Sequence, residues 1–168
     1  MTDRWRGRRP AGLAVVVLVA GMTGAVAIAG QSDVRALVVR DATGTELTRI
    51  TLPSGEGFAL RYRNSLYGSL VEERYESDGA RLRLVELAAD EPAVLEEYYA
   101  AFGATSAEPG SARAWQVAVE RPPIPLPLHV QATSLGERTL LANGRVVSLW
   151  ELFAGRGDTS ATLSVEDS

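Results

Sequence analysis

The sequence predicts an all-β domain: a β-sandwich or partly open barrel of about nine to ten short strands with one short helix, preceded by an N-terminal hydrophobic helix. Three observations carry that expectation. Short runs rich in valine, leucine, isoleucine, tyrosine and threonine follow one another at close intervals. Several alternate apolar and polar residues with the period of two of a half-buried strand. Turn pairs such as Asp78-Gly79 and Asn143-Gly144 stand between them. No internal repeat interrupts the pattern.

The elements follow in order. Residues 1–10 hold Arg4, Arg6, Arg8 and Arg9 and read as a basic cytoplasmic segment. Residues 11–30 carry no charge, and these 20 residues are about what a helix needs to cross the hydrocarbon core. Arginines before the span stay on the cytoplasmic side, which puts residues 31–168 outside the cytoplasm in a single-pass membrane protein. The same segment has the order of a secretory signal, and Ala27-Ile28-Ala29 has the small-x-small form of a cleavage site. Secretion after cleavage near Ala29 is therefore the alternative, although a signal's apolar region usually lasts only about 7–15 residues. Arg8-Arg9 has the form of a twin-arginine export signal, with nothing downstream that suggests a cofactor loaded before export.

Residues 34–40 contain Leu37-Val38-Val39, and Asp41-Ala42-Thr43-Gly44 is turn chemistry leading to an alternating run at 47–52, so the two read as a hairpin. Phe58, Leu60 and Tyr62 fall on one face of the next strand. At 70–76, Val71, Glu73 and Tyr75 share one face, while Glu72, Arg74 and Glu76 form a charged face that should be wet. Residues 81–87 follow the Asp78-Gly79 turn. One helix is expected over 92–102, with Asp90 as N-cap, Pro92 in its first turn, Val94, Tyr98 and Phe102 at helical spacing, and Gly103 ending it. Strands resume at 115–119, 126–132, 138–141, 146–149 and 159–165, with Asn143-Gly144 as a tight hairpin. The stretch Pro122-Pro123-Ile124-Pro125-Leu126-Pro127 should be extended; it reads as a stiff sheet-to-sheet crossing or edge segment, or as a proline-recognition ligand.

Composition narrows the chemistry. Residues 31–168 suffice for one domain burying about two thirds of its unfolded surface. They carry 13 arginines against 20 acids, a net charge of −7, which argues against nucleic acid as a partner. The chain has no cysteine, so disulfides, thiol catalysis and zinc–thiolate sites are excluded. A single histidine, His129, and the lack of a spaced Asp/Asn loop leave no metal site to expect, and no cofactor motif stands out.

The stretch from Tyr62 through Asn64, Ser65, Val71 and Glu73 to Tyr75 resembles the bacterial and archaeal family catalogued as domain of unknown function 1850. That family's hallmark is an aromatic, then His-Ser, a short loop, then Thr-Pro-Val and a glutamate before an aromatic. Tyr62, Ser65, Val71, Glu73 and Tyr75 match it, whereas Asn64 stands in the histidine's place and Leu70 in the proline's. Gly103-Ala104 resembles a later Gly-Ala-Gly element from which Thr105 departs. The resemblance covers approximately residues 37–166, including the Asn143-Gly144-Arg145 hairpin and the final strand. It implies a small exported or anchored protein, often encoded beside tripartite-type (TRAP) transporter components that take up organic acids, and it brings no catalytic activity.

Read from the residues, Phe58, Leu60, Tyr62 and Asn64 share a face with Val71, Glu73 and Tyr75 if the two strands pair through the loop at 65–69. Glu73 then points inward and needs donors, for which the Tyr62 hydroxyl, the Asn64 amide and the loop amides are candidates. Two roles stay open: a ligand-binding or proton-handling glutamate at a pocket mouth, and a structural carboxylate that pins the hairpin loop. Ligand or loop-pinning candidates are thus Glu73, Tyr62, Asn64 and Ser65, with no catalytic residue assigned. His129 lies off the face of Leu126, Leu128 and Val130 and reads as exposed. Ser65 lacks the nucleophile elbow a triad requires, and Gly155-Arg156-Gly157-Asp158 reads as a plain turn. Trp150, Leu152 and Phe153 are either an interaction patch or core under the last loop. The functional expectation is a non-enzymatic accessory or binding module, serving a TRAP-type transporter or a small organic solute; the alternative is an exported hydrolase-like enzyme using Glu73.

Overall fold

The computed structural model describes residues 34–78 and 80–167. The basic segment, the apolar run with its Ala27-Ile28-Ala29 element, and Gly79 of the expected turn lie outside the described residues. Among those described, no helix is long and apolar enough to cross a membrane.

Twelve strands are described: β1 Arg35–Arg40, β2 Glu46–Leu52, β3 Phe58–Arg63, β4 Leu70–Ser77, β5 Arg81–Ala89, β6 Thr105–Ser106, β7 Trp115–Ala118, β8 Ile124–Pro125, β9 Leu128–Gln131, β10 Thr139–Ala142, β11 Arg145–Ser148 and β12 Ser160–Asp167. A one-turn π-helix, Val94–Tyr98, and a short helix α1, Leu149–Leu152, complete them. The strands form two antiparallel sheets. The smaller runs β2, β1, β12, β9; the larger runs β11, β10, β3, β4, β5, β7, β6, with β8 added beside β5. The described residues thus form a mostly β, sandwich-like domain.

Period-two patterning builds the main core. Leu37 and Val39 of β1, Ile50 and Leu52 of β2, Val130 of β9 and Leu163 of β12 meet Phe58, Leu60, Tyr75, Leu82, Leu140 and Ala142 of the larger sheet. Leu149 and Phe153 close one side of this cluster, with Leu152 packed against it, so core packing is what the Trp150 to Phe153 region provides. Full burial of such side chains contributes about 1.5–3 kcal/mol each. A second cluster lies under the far part of the larger sheet, where Val71, Leu87 and Ala89 pack with Val94, Leu95 and Ala101.

Turn chemistry sets the register. The Asp41 side chain accepts from the amides of Thr43 at 2.9 Å and Thr45 at 3.0 Å, closing the first hairpin. Asn143 and Gly144 take φ of 45° and 68°, the two left-handed residues a tight hairpin between β10 and β11 demands. The proline-rich stretch pairs with β5 through β8 and then leaves for β9, so it carries the chain from the larger sheet to the smaller.

Three expectations are corrected. The helical stretch begins at Pro92 as expected but ends at Tyr98 and not at Phe102, and its Val94–Tyr98 part is π-wound. Tyr99 N donates to Val94 O, five residues back, and Ala100 turns left-handed at φ 51°, which ends the coil before Phe102 can join it. Tyr98 and Phe102 are consequently exposed, at 52% and 74%. Asp90 does not cap; its carboxylate takes the Arg113 guanidinium at 2.8 Å. The strand expected at 146–149 stops at Ser148, where α1 begins.

The third correction concerns the charged face of β4, because Glu72 is buried at 4% exposure. Arg61 reaches it at 2.8 Å from β3 and Arg74 at 3.0 Å from two residues along β4, while Arg74 also meets Glu86 of β5 at 2.8 Å. The long arginine stems cover the carboxylate they neutralise. Burial by itself raises the Glu72 pKa, but the two arginine hydrogen bonds outweigh it and hold the carboxyl below the usual range. On the smaller sheet the bonds from Arg40 and Ser164 lower Glu166 to about 2.

Both depressed values make the same linkage. Their contribution is complete above the ordinary glutamate value of 4.5 and is lost as pH falls below it toward the folded values. Denaturant unfolding should therefore show stability declining from pH 4.5 toward 2, and Glu72→Gln should flatten part of that decline. Gly57 supplies a steric test: a Cβ there would stand 2.0 Å from the Tyr75 carbonyl oxygen. Gly57→Ala should cost about 1–3 kcal/mol, read as a lowered denaturant midpoint, because backbone must move to accommodate it.

Candidate functional site

Pairing of β3 with β4 sets Phe58 opposite Tyr75, Leu60 opposite Glu73 and Tyr62 opposite Val71, so these side chains share one face. Glu73 lies between Leu60, which belongs to the main core, and Leu87 of β5, which belongs to the second cluster. Its half-buried carboxylate therefore stands in the seam between two apolar clusters, where it requires donors.

Tyrosines provide them. The Tyr99 hydroxyl donates to Glu73 Oε1 at 2.7 Å and the Tyr75 hydroxyl to Oε2 at 3.0 Å. The Tyr62 and Tyr99 hydroxyls are also hydrogen-bonded to each other. A phenol has one proton, and that of Tyr99 is spent on Glu73, so Tyr62 is the donor in that pair. The result is a directed chain, Tyr62 to Tyr99 to Glu73, with Tyr75 closing the other oxygen. Burial, followed by the Glu73 charge, pushes the Tyr62 phenol up to about 12 and raises Tyr75 and Tyr99 as well.

Tyr99 is the residue that sequence reasoning missed. Helical spacing turns Tyr98 inward; the π-turn holds one more residue per turn than an α-turn and rotates Tyr99 there in its place. Tyr99 is held from outside by Arg121, which donates to its carbonyl and lies 5.9 Å from its ring centre. The adjacent pair Tyr98-Tyr99 was the available signal, but only backbone geometry selects between its members.

The other sequence candidates lie next to this chain and do not touch Glu73. Asn64 is buried at 3% exposure, and its Oδ1 accepts from the amides of Leu66 at 3.0 Å and Tyr67 at 3.3 Å. Asn64 thus pins the hairpin loop, the structural task considered for Glu73. Ser65 is exposed at the loop's start. Tyr62, Asn64 and Ser65 together line a groove of about 200 Å³, completed by Arg63, Tyr98, Gln131, Thr133, Leu135, Gly136 and Arg138. Arg138 stacks over the Tyr62 ring at 4.5 Å. His129 is exposed on β9 and lines no part of this groove. Among the described residues, no group of three or more acids and histidines is placed to hold a metal ion.

Deleting the acceptor should strand its donors. Glu73→Ala leaves the Tyr75 and Tyr99 hydroxyls without their partner and should cost about 1–3 kcal/mol, whereas Glu73→Gln keeps an acceptor oxygen and should cost less. Tyr99→Phe should approach the alanine value, since it orphans both Tyr62 and one Glu73 oxygen. Equal melting of all three variants and wild type would refute the network. At alkaline pH the sign reverses relative to the glutamates: the raised Tyr62 phenol adds stability that is complete below its ordinary value of 10.0 and is lost as pH rises through about 12. Unfolding midpoints between pH 9 and 12 should fall in wild type and fall less in Tyr62→Phe.

Compared with protein-family models, curated proteins and solved structures, the chain meets no match.

Proposed function

We propose that the chain is a non-enzymatic accessory or binding module, held at the membrane by residues 11–30 with its β domain outside the cytoplasm, serving a TRAP-type solute transporter or a small organic solute. One observation carries this reading: the occupation of Glu73. Both of its oxygens accept tyrosine hydroxyls inside the seam, while the accessible surface next to it is a groove with unspent donors. A general base needs a lone pair within reach of a substrate proton. Glu73 is turned into the seam with each oxygen accepting a tyrosine hydroxyl, and it lines no part of the groove, which favours the binding-module reading over the hydrolase-like alternative. The resemblance along residues 62–75 supports the transporter half of the reading, and the arginine cluster before an apolar run supports the anchor. A shared core between two sheets, each with open edges, supports a β-sandwich over a barrel.

Affinity capture of the full chain from its native membranes should bring transporter subunits with it; their absence would overturn the accessory role. In intact cells, external protease should remove the β domain, and terminal sequencing of membrane-bound protein should find residues 1–10 in place. A mature chain beginning at Gly30 or Gln31 would rule out the anchor, and protection of the domain would rule out the orientation.

A further inference from the structure

The groove beside Tyr62 has a charge pattern unlike its surroundings. The segment from residue 31 onward carries a net charge of −7, yet the groove is lined by two arginines and by no aspartate or glutamate. Arg63 is already engaged, donating to the Gly68 carbonyl at 2.8 Å and lying 3.5 Å from Glu137. Arg138 is different. Among the described residues its guanidinium meets no carboxylate and no hydrogen-bond acceptor, and its Nε is buried without a partner. Stacking on the Tyr62 ring holds it in place at 4.5 Å. A half-buried, immobilised guanidinium with unspent donors is a site for one negative charge.

The neighbouring groups extend that chemistry. Asn64 gives its oxygen to the loop amides, so its side-chain nitrogen remains as a donor on the groove wall, which Ser65 also lines. The rim is apolar: Leu135 and Tyr98, exposed at 72% and 52%, line the same groove. Its volume, about 200 Å³, lies below the roughly 300–1,000 Å³ of drug-sized sites, which selects a small solute. We infer that this groove binds a small organic monocarboxylate, the carboxylate against Arg138 and Asn64 and the apolar body against Tyr98 and Leu135. The inference rests on the binding-module reading and names the ligand class for it.

Titration calorimetry on the full chain in detergent tests the site with three probes: sodium benzoate, the neutral isostere benzamide, and inorganic phosphate. Benzoate should bind at one site, with benzamide and phosphate at least about tenfold weaker, since one lacks the charge and the other the apolar body. Arg138→Gln should weaken benzoate by about tenfold or more. Leu135→Asp, at an exposed rim position that does not support the fold, should do the same by placing a like charge at the entrance. Benzoate binding unchanged in both variants, benzamide or phosphate binding as tightly as benzoate, or no benzoate binding at all would each overturn the inference. Transporter subunits that co-purify while benzoate fails would overturn this site alone. Benzoate binding that depends on Arg138, with no co-purifying subunit, would sustain the site and remove the accessory role.

Discussion

The larger sheet depends on how one carboxylate is accommodated in the seam between its two apolar clusters. Glu73 has Leu60 on one flank and Leu87 on the other, and without donors its charge would split the packing around it. Tyr75 comes from its own strand and Tyr99 from the π-turn across the second cluster, so a single carboxylate ties the sheet to the only cover that cluster has among the described helices. The left-handed exit at Ala100 and the wide turn before it follow from the same requirement. Regular α-helix over 92–102 would aim Tyr98 at the seam and leave the backbone one residue out of phase.

Adjacent residues of β4 solve the same problem in opposite ways. Glu72, facing outward, is neutralised by formal charge from Arg61 and Arg74; Glu73, facing inward, is satisfied by neutral phenols. Arginine needs a long stem and a wet exit for its own remaining donors, which the outer face offers and the seam does not. Tyrosine delivers one strong donor on a rigid apolar body, which suits a position surrounded by leucine and valine. The alternation of β4 therefore sorts two kinds of carboxylate chemistry onto two faces, one sensitive to acid and one to base.

Much of the strand framework was legible because alternation is a local signal: β1 to β5 fall within a few residues of where period-two reading puts them, and Asn143-Gly144 announces its hairpin. Less legible were features set by partners distant in the chain. The two-residue strands β6 and β8 carry no pattern of their own and exist because β7 and β5 offer them open edges. Glu72 reads as solvated from its neighbours on β4, since the covering Arg61 belongs to β3. Of the site, the shared face of Tyr62, Glu73 and Tyr75 followed from register. Tyr99 and Arg138 did not: each reaches the site from a segment far along the chain, through a turn geometry or a stacking contact that composition does not encode.

Among the described residues the sheets end at β2 and β9 and at β11 and β6, with the two-residue β8 beside β5 as a further short edge, and the composition of these edges governs strand addition between copies of the domain. β2 exposes Glu46, Arg49 and Thr51; β9 starts directly after Pro127 and exposes His129 and Gln131; β6 is two residues long; β11 is four residues long and opens on Arg145. Short, charged or proline-flanked edges are poor templates for strand addition. With no disulfide to lock the fold, partial opening is the route by which such a domain would meet its neighbours, and the edges it would present then are already unsuited to polymerisation. Edge-to-edge strand pairing between crowded copies is thereby disfavoured.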